Sequence, residues 1–290
     1  MKKWFGRLLV VGLFLSLIAL LGFHFFAPQM ILQPTKRMCR LEDEARRYEP
    51  VAIEGANGII LQGYESTAPS KKGTIILVHG IGGCGRSMLG LSRILGTIGY
   101  GVIAFDNRAH GSSGGHYCTY GYYEKYDIKA VVDYLLTKTP DAQIGIWGNS
   151  LGGAIAIQAL ELDERIAFGI TESTFTDFRT IVLDYKERLF GIRVPLLADY
   201  AILRASKIGN FNAENIRPIE SVKNVEQPVL IAHGDQDRRI NVTYGKTLFN
   251  NLASEEKELI IVEGGKHAGL SRVAGDSYLE KIVAFIDQLE

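Results

Sequence analysis

Cysteine is scarce. The chain has 3 in 290 residues, with no C-x-x-C pair and no His/Cys cluster at metal-ligand spacing. That excludes a disulfide framework and a zinc module. An excess of charge of either sign is also missing: 32 Lys and Arg are matched by 32 Asp and Glu. No basic run carries interleaved aromatics, so no nucleic-acid partner is expected. Internal repeats and low-complexity tracts are absent. What remains is a chain 47% apolar and 22% charged, enough for one large α/β domain or two small ones.

One stretch organises the rest. Gly148-Asn149-Ser150-Leu151-Gly152 lies between the apolar run Ile144-Gly145-Ile146-Trp147 and the helix-like run Gly153 to Leu160. Strand, Gly-x-Ser-x-Gly turn and helix together are the context in which a serine becomes a nucleophile. A serine hydroxyl is weak until a base holds it and donors await the oxyanion. A sharp turn lifts Ser150 above the sheet edge, and Gly148 and Gly152 leave room for it. The following helix aims its first N–H groups at the site, where negative charge is stabilised.

The N-terminus is apolar from Leu8 to Phe26. As a helix it is roughly 28 Å long, close to the hydrocarbon core of a bilayer. A cleaved signal peptide and a retained anchor both fit. Cleavage after Ala27 would put Phe25 at −3 with Pro28 just beyond, which favours a retained single-pass anchor over residues 1–28. Lys2, Lys3 and Arg7 precede the run, so the N-terminus is expected in the cytoplasm and the body outside. Residues 29–49 read as an amphipathic linker, and 50–290 as the globular domain.

Within that domain, Val51-Ala52-Ile53 and Ile59-Ile60-Leu61 flank Gly55-Ala56-Asn57-Gly58, a hairpin pattern. Thr74 to Val78 and Val102 to Phe105 are continuous apolar strands, as in a parallel sheet buried on both faces. The spacing of Met88, Leu91, Ile94, Leu95 and Ile98 predicts a helix, as does that of Ile128, Val131, Val132, Leu135 and Leu136. Ile166 to Thr171, Pro228 to Ala232 and Leu259 to Val262 are further strands, and a last helix runs to Glu290. Strands alternating with helices predict a mostly parallel sheet. Phe175 to Asn224 is too long for one crossover helix and predicts a helical cap over about 175–224.

Asp237 follows one late strand in His233-Gly234-Asp235-Gln236-Asp237. His267 follows the next in Gly264-Gly265-Lys266-His267-Ala268-Gly269. In the order Ser150, Asp237, His267 the chain resembles the α/β-hydrolase superfamily. It is most similar to the branch of Bem46-like and serine-aminopeptidase-like hydrolases, through His79-Gly80, Asp106 to Ser113, Thr119-Tyr120-Gly121 with Glu124 and Asp127, and His233 to Asp237. The resemblance implies an α/β-hydrolase fold with an eight-stranded, mostly parallel sheet, helices on both faces and no cofactor. It makes Asp237 the acid through the pattern Gly-x-x-Asp, with Asp235 a loop-bonding carboxylate. It draws the oxyanion donors from the N–H of Leu151 and of Ile81, or of Gly82. Losing one such donor costs about a hundred- to a thousandfold in rate. His79, His110 and His116 are expected to brace loops, His233 to hydrogen-bond at a strand end, and Arg108 to anchor its loop. Cys84 and Cys118 fall in loops near the site. Three free thiols are expected, with a Cys84–Cys118 bridge the alternative.

The expected activity is that of a membrane-anchored serine hydrolase on a small-molecule ester, thioester or amide, with an acyl or lipid-like substrate. An aminopeptidase-like peptidase is the second reading, and a non-catalytic binding protein on the same fold the third.

Overall fold

A computed structural model describes residues 2–36, 39, 47–67 and 70–289. Strands β1 (Tyr48–Glu54) and β2 (Ile60–Ser66) form the expected antiparallel hairpin, with Tyr48 opposite Ser66 and Glu54 opposite Ile60. The turn is a short 3₁₀ segment in which Asn57 takes a positive φ of 61°. The remaining strands are β3 (Gly73–Val78), β4 (Tyr100–Phe105), β5 (Gln143–Asn149), β6 (Ile166–Glu172), β7 (Val229–Gly234) and β8 (Lys257–Val262). The sheet order is β1-β2-β4-β3-β5-β6-β7-β8. From β4 to β8 every pairing is parallel. The chain runs outward from β3 to β4 and then returns to the other side of β3 as β5. At such a reversal, loops at the carboxyl ends of the strands diverge and leave a crevice.

Ten α-helices are described: α1 (Lys2–Leu32), α2 (Ser92–Thr97), α3 (Glu124–Lys138), α4 (Leu151–Leu162), α5 (Phe178–Phe190), α6 (Pro195–Gly209), α7 (Pro218–Ser221), α8 (Val242–Asn251), α9 (Leu270–Ala274) and α10 (Asp276–Asp287). One face of the sheet buries Ile76, Val78 and Ile146 under Ile128 and Val132 of α3 and Ile155 and Leu160 of α4. The other buries Ile75, Leu77 and Trp147 under Leu95 of α2 and Ile282 and Ile286 of α10. Strands β3, β4 and β7 are buried along their whole length, which is why they read as unbroken apolar runs rather than alternating ones. The helix expected around Met88 starts as a 3₁₀ segment, Gly85–Leu91, and becomes α-helical only at Ser92.

The segment after β6 holds the two longest helices of the expected cap region, α5 and α6, then α7 and short 3₁₀ turns. Asp177 caps α5 by accepting the Thr180 N–H, and Gly191 closes it with φ 71°. Pro195 opens α6, where its missing N–H costs nothing.

The N-terminal helix does not stop at residue 28. It continues through Pro28 to Leu32, and Ala27, Ile31 and Leu32 are buried in the same core as α3, α4 and the cap. From Trp4 to Leu21, among the described side chains, it is exposed. Most of the expected linker, residues 37, 38 and 40–46, lies outside the described residues.

The expectation of three free thiols and its Cys84–Cys118 alternative both fail. Cys39 and Cys84 form a disulfide with Cα atoms 6.3 Å apart, and Cys118 is free and buried. The bond puts Cys39 beside the loop after β3. The separation of 45 residues carries no trace of that proximity.

Candidate active site

Ser150 sits between β5 and α4 with φ 54° and ψ −117°. A non-glycine residue held at positive φ is strained and persists only where its surroundings over-determine it. Here the Ser150 N–H donates to the Glu172 carbonyl at the end of β6 (2.7 Å), and the Ser150 carbonyl accepts from the Ala154 N–H (3.2 Å). The two flanking glycines are required by close approach: a Cβ on Gly148 would collide with the Gly152 carbonyl, and one on Gly152 with the Val78 carbonyl.

The three side chains expected to act together do meet. His267 Nε2 lies 3.0 Å from Ser150 Oγ, and His267 Nδ1 lies 2.8 Å from Asp237 Oδ2. A proton on Nδ1 is held by the carboxylate, which leaves Nε2 as an acceptor for the serine proton. Asp237 is fixed from its other side. Its Oδ1 accepts the N–H groups of Arg239 (2.7 Å) and Ile240 (3.0 Å). His233 donates from Nε2 to the Ile240 carbonyl and stands 3.5 Å from Asp237 Oδ2. Burial alone would push the Asp237 carboxyl up. Hydrogen bonds from His233, His267 and the Ile240 N–H overcome it and hold the group well below the ordinary carboxylate range. Asp235 Oδ1 accepts the Gly264 N–H at 2.7 Å, tying the acid loop to the loop that carries His267.

The loop after β3 is braced by His79. Its Nδ1 donates to the Gly80 carbonyl (2.7 Å) and its Nε2 accepts the Asn107 N–H (2.9 Å). Burial, with His110 nearby, pushes its pKa down to about 3, so it is a neutral strut. His110 donates to the Arg108 carbonyl and packs edge-on against His79. Arg108 forms a buried two-point contact with Asp127, 2.6 Å at each nitrogen, and reaches the Ala56 carbonyl. It anchors its loop, away from Ser150. Glu124 accepts from Thr119 N and Oγ1 and from Gly121 N. Ile81 follows His79-Gly80 at the cavity's edge, and Leu151 opens α4, where the first N–H groups have no partner within the helix.

Ser150 and Leu151 line a cavity of about 760 Å³, within the range of about 300–1,000 Å³ usual for small-molecule sites. The segment expected as a cap beside the site supplies part of its lining, including Leu189, Ile192, Val194 and Leu197. The share from α1 and the residues just after it, including Phe23, Phe26, Ala27 and Met30, was not legible in the sequence. No pattern in an unbroken apolar run marks which side faces a pocket. Among the described residues no group of His, Cys, Asp and Glu has the arrangement of a metal site.

A family model for the alpha/beta hydrolase fold matches residues 73–193. The uncharacterized protein YqkD of Bacillus subtilis is 30% identical over 246 residues, 82% of this chain and 78% of its own. Lysophosphatidylserine lipase ABHD12 of Xenopus tropicalis is 30% identical over 211 residues, which are 70% of this chain and 53% of the frog protein. The chain thus spans about half the length of that relative. The esterase Pf2001 of Pyrococcus furiosus has a TM-score of 0.75 at 22% identity, covering 89% of this chain and 98% of the esterase. At that identity the likeness speaks for the fold alone.

Proposed function

The chain belongs to the α/β-hydrolase superfamily, and from that premise we propose that it is a membrane-anchored serine hydrolase that cleaves an ester of an acyl or lipid-like substrate. The observation that carries this reading is the continuous line from Ser150 Oγ through both nitrogens of His267 to Asp237. As Ser150 Oγ attacks the acyl carbon, His267 Nε2 takes its proton. Asp237 stabilises the imidazolium and holds the tautomer. The carbonyl oxygen becomes an oxyanion facing the N–H groups of Leu151 and Ile81. The imidazolium then returns its proton to the leaving oxygen, which departs as an alcohol and leaves an acyl-serine. Water repeats the sequence: His267 takes one proton, the acid is released, and Ser150 regains its hydrogen.

An ester is favoured over a peptide by the cavity lining, which among the described residues contains no Asp or Glu to hold a free substrate N-terminus. A relative named as a lysophosphatidylserine lipase points the same way. Membrane anchoring is supported by α1, which between Arg7 and Leu32 holds an 18-residue stretch of mean hydropathy 2.5 and is long enough to cross a bilayer. An extracytoplasmic domain is supported by the Cys39–Cys84 disulfide, since such bonds persist in oxidising compartments.

A fluorophosphonate probe tests the chemistry. It is expected to label Ser150 in the folded chain. Ser150→Ala is expected to abolish labelling and lower ester hydrolysis by roughly 10⁴- to 10⁶-fold. Hydrolysis that survives this substitution would assign the activity elsewhere.

A further inference from the structure

The first half of α1 is bare of protein and the second half is not, and the cavity follows the helix across that boundary. It touches α1 at Ala19 and Gly22, continues past Phe26 and Met30, and ends at Ser150. From Ala19 to Ile31 the helix axis advances roughly 18 Å, slightly more than half of a bilayer's ~30 Å hydrocarbon core. The facing wall is the α5–α6 turn, where Leu189, Ile192 and Leu197 are exposed apolar side chains. Phe26 and Met30 are exposed on the helix side. Two apolar lips continuous with a membrane-length helix suit hydrocarbon better than water.

One cation interrupts this lining. Lys186, on α5, is the sole charged side chain on the cavity wall among the described residues. Its Nζ is buried without a hydrogen-bond partner there and lies 5.2 Å from the Phe23 ring centroid. Desolvation lowers its pKa. An ammonium shut away from water with only a ring face beside it is held at a cost. An anion in the cavity would offset that cost, because both partners would then be hydrogen-bonded.

We propose that the slot between α1 and the α5–α6 turn is the acyl subsite of this hydrolase, with the membrane helix as one of its walls, and that Lys186 seats an anionic group of the same substrate. The substrate class is a single-chain acyl ester bearing a phosphate or carboxylate, drawn sideways from the bilayer. This deepens the proposed function and rests on it. The membrane helix is then a determinant of specificity as well as a tether.

The test uses the full chain in phosphatidylcholine nanodiscs with four esters: 1-oleoyl lysophosphatidate, a 1-oleoylglycerol hemisuccinate, neutral 1-oleoylglycerol and p-nitrophenyl butyrate. Lys186→Met is expected to lower the kcat/KM ratio of an anionic over the neutral oleoyl ester by tenfold or more, and Lys186→Arg to restore most of it. The ester whose ratio falls identifies the anion as phosphate or carboxylate. Ratios within twofold of the parent for both anions overturn the seat. Met30→Trp narrows an exposed lip, so folding is not at stake. It is expected to raise KM for the oleoyl esters about tenfold relative to the butyrate. An equal effect on long and short esters overturns the wall. Butyrate hydrolysis that persists in Ser150→Ala sinks the serine chemistry instead, a result separate from either of these.

Discussion

The rim of the sheet and the slot beneath α1 are adjacent, yet they are built on opposite plans. At the rim, Ser150, Asp237 and His267 are positioned by hydrogen bonds of 2.7 to 3.2 Å, each to a named atom. In the slot, Phe23, Phe26, Met30 and Leu197 are placed by apolar contact, and the one charged group among the described residues, Lys186, has no hydrogen-bond partner there. Directional bonds demand particular residue types at particular turns. Apolar contact demands only volume and polarity, and many side chains meet that demand. The proposed chemistry is therefore written at the rim in a narrow alphabet, and the proposed substrate choice in the slot in a broad one.

Asp237→Asn strikes the rim hardest. The amide leaves the shape intact but holds the wrong imidazole tautomer, and kcat is expected to fall about 10⁴-fold. A loss below tenfold, measured with p-nitrophenyl butyrate, would mean the carboxylate does not orient His267. Truncation tests the slot. Removing residues 1–18 leaves the packed half of α1 in place and is expected to preserve thermal stability in detergent. Removing residues 1–32 strips Ile31 and Leu32 from the core, at a cost of roughly 3–6 kcal/mol. It also removes the carbonyls that accept from Tyr120 Oη and the Cys118 N–H. Equal melting temperatures for the two truncations would show that α1 is only a tether.

The disulfide joins the two regions, because Cys84 ends the loop after β3 and Cys39 lies in the segment after α1. Cys39→Ala is expected to lower stability by about 2–4 kcal/mol in urea and to reduce turnover by loosening the loop that carries Ile81, the proposed donor. Unchanged kcat alongside lost stability would confine the bond to a structural role.

The braced loop carries an effect that appears only as pH falls. Folded, His79 takes a proton only near pH 3, whereas its unfolded value is 6.5. The unfolded chain therefore binds more protons between these values, and stability falls as pH falls from about 6.5 towards 3. The slope from this group approaches about 1.4 kcal/mol per pH unit. His79→Gln is expected to flatten the dependence between pH 6 and 4. Part of the slope will remain, because burial also lowers the pKa of His110. Identical slopes in the two proteins would rule His79 out as its source.

The sequence by itself determined the strand-turn-helix around Ser150, the positions of Asp237 and His267 after late strands, and the parallel sheet. Each of these follows from local geometry: a strained turn needs Gly148 and Gly152, and strands buried on both faces need unbroken apolar runs. Only the tertiary structure decided that α1 extends past Pro28 to become a cavity wall, that Cys39 rather than Cys118 pairs with Cys84, and that Lys186 has no hydrogen-bond partner among the described residues. These features join residues far apart in the chain through packing. Packing selects for shape and polarity summed over many side chains, so no single residue or spacing announces it.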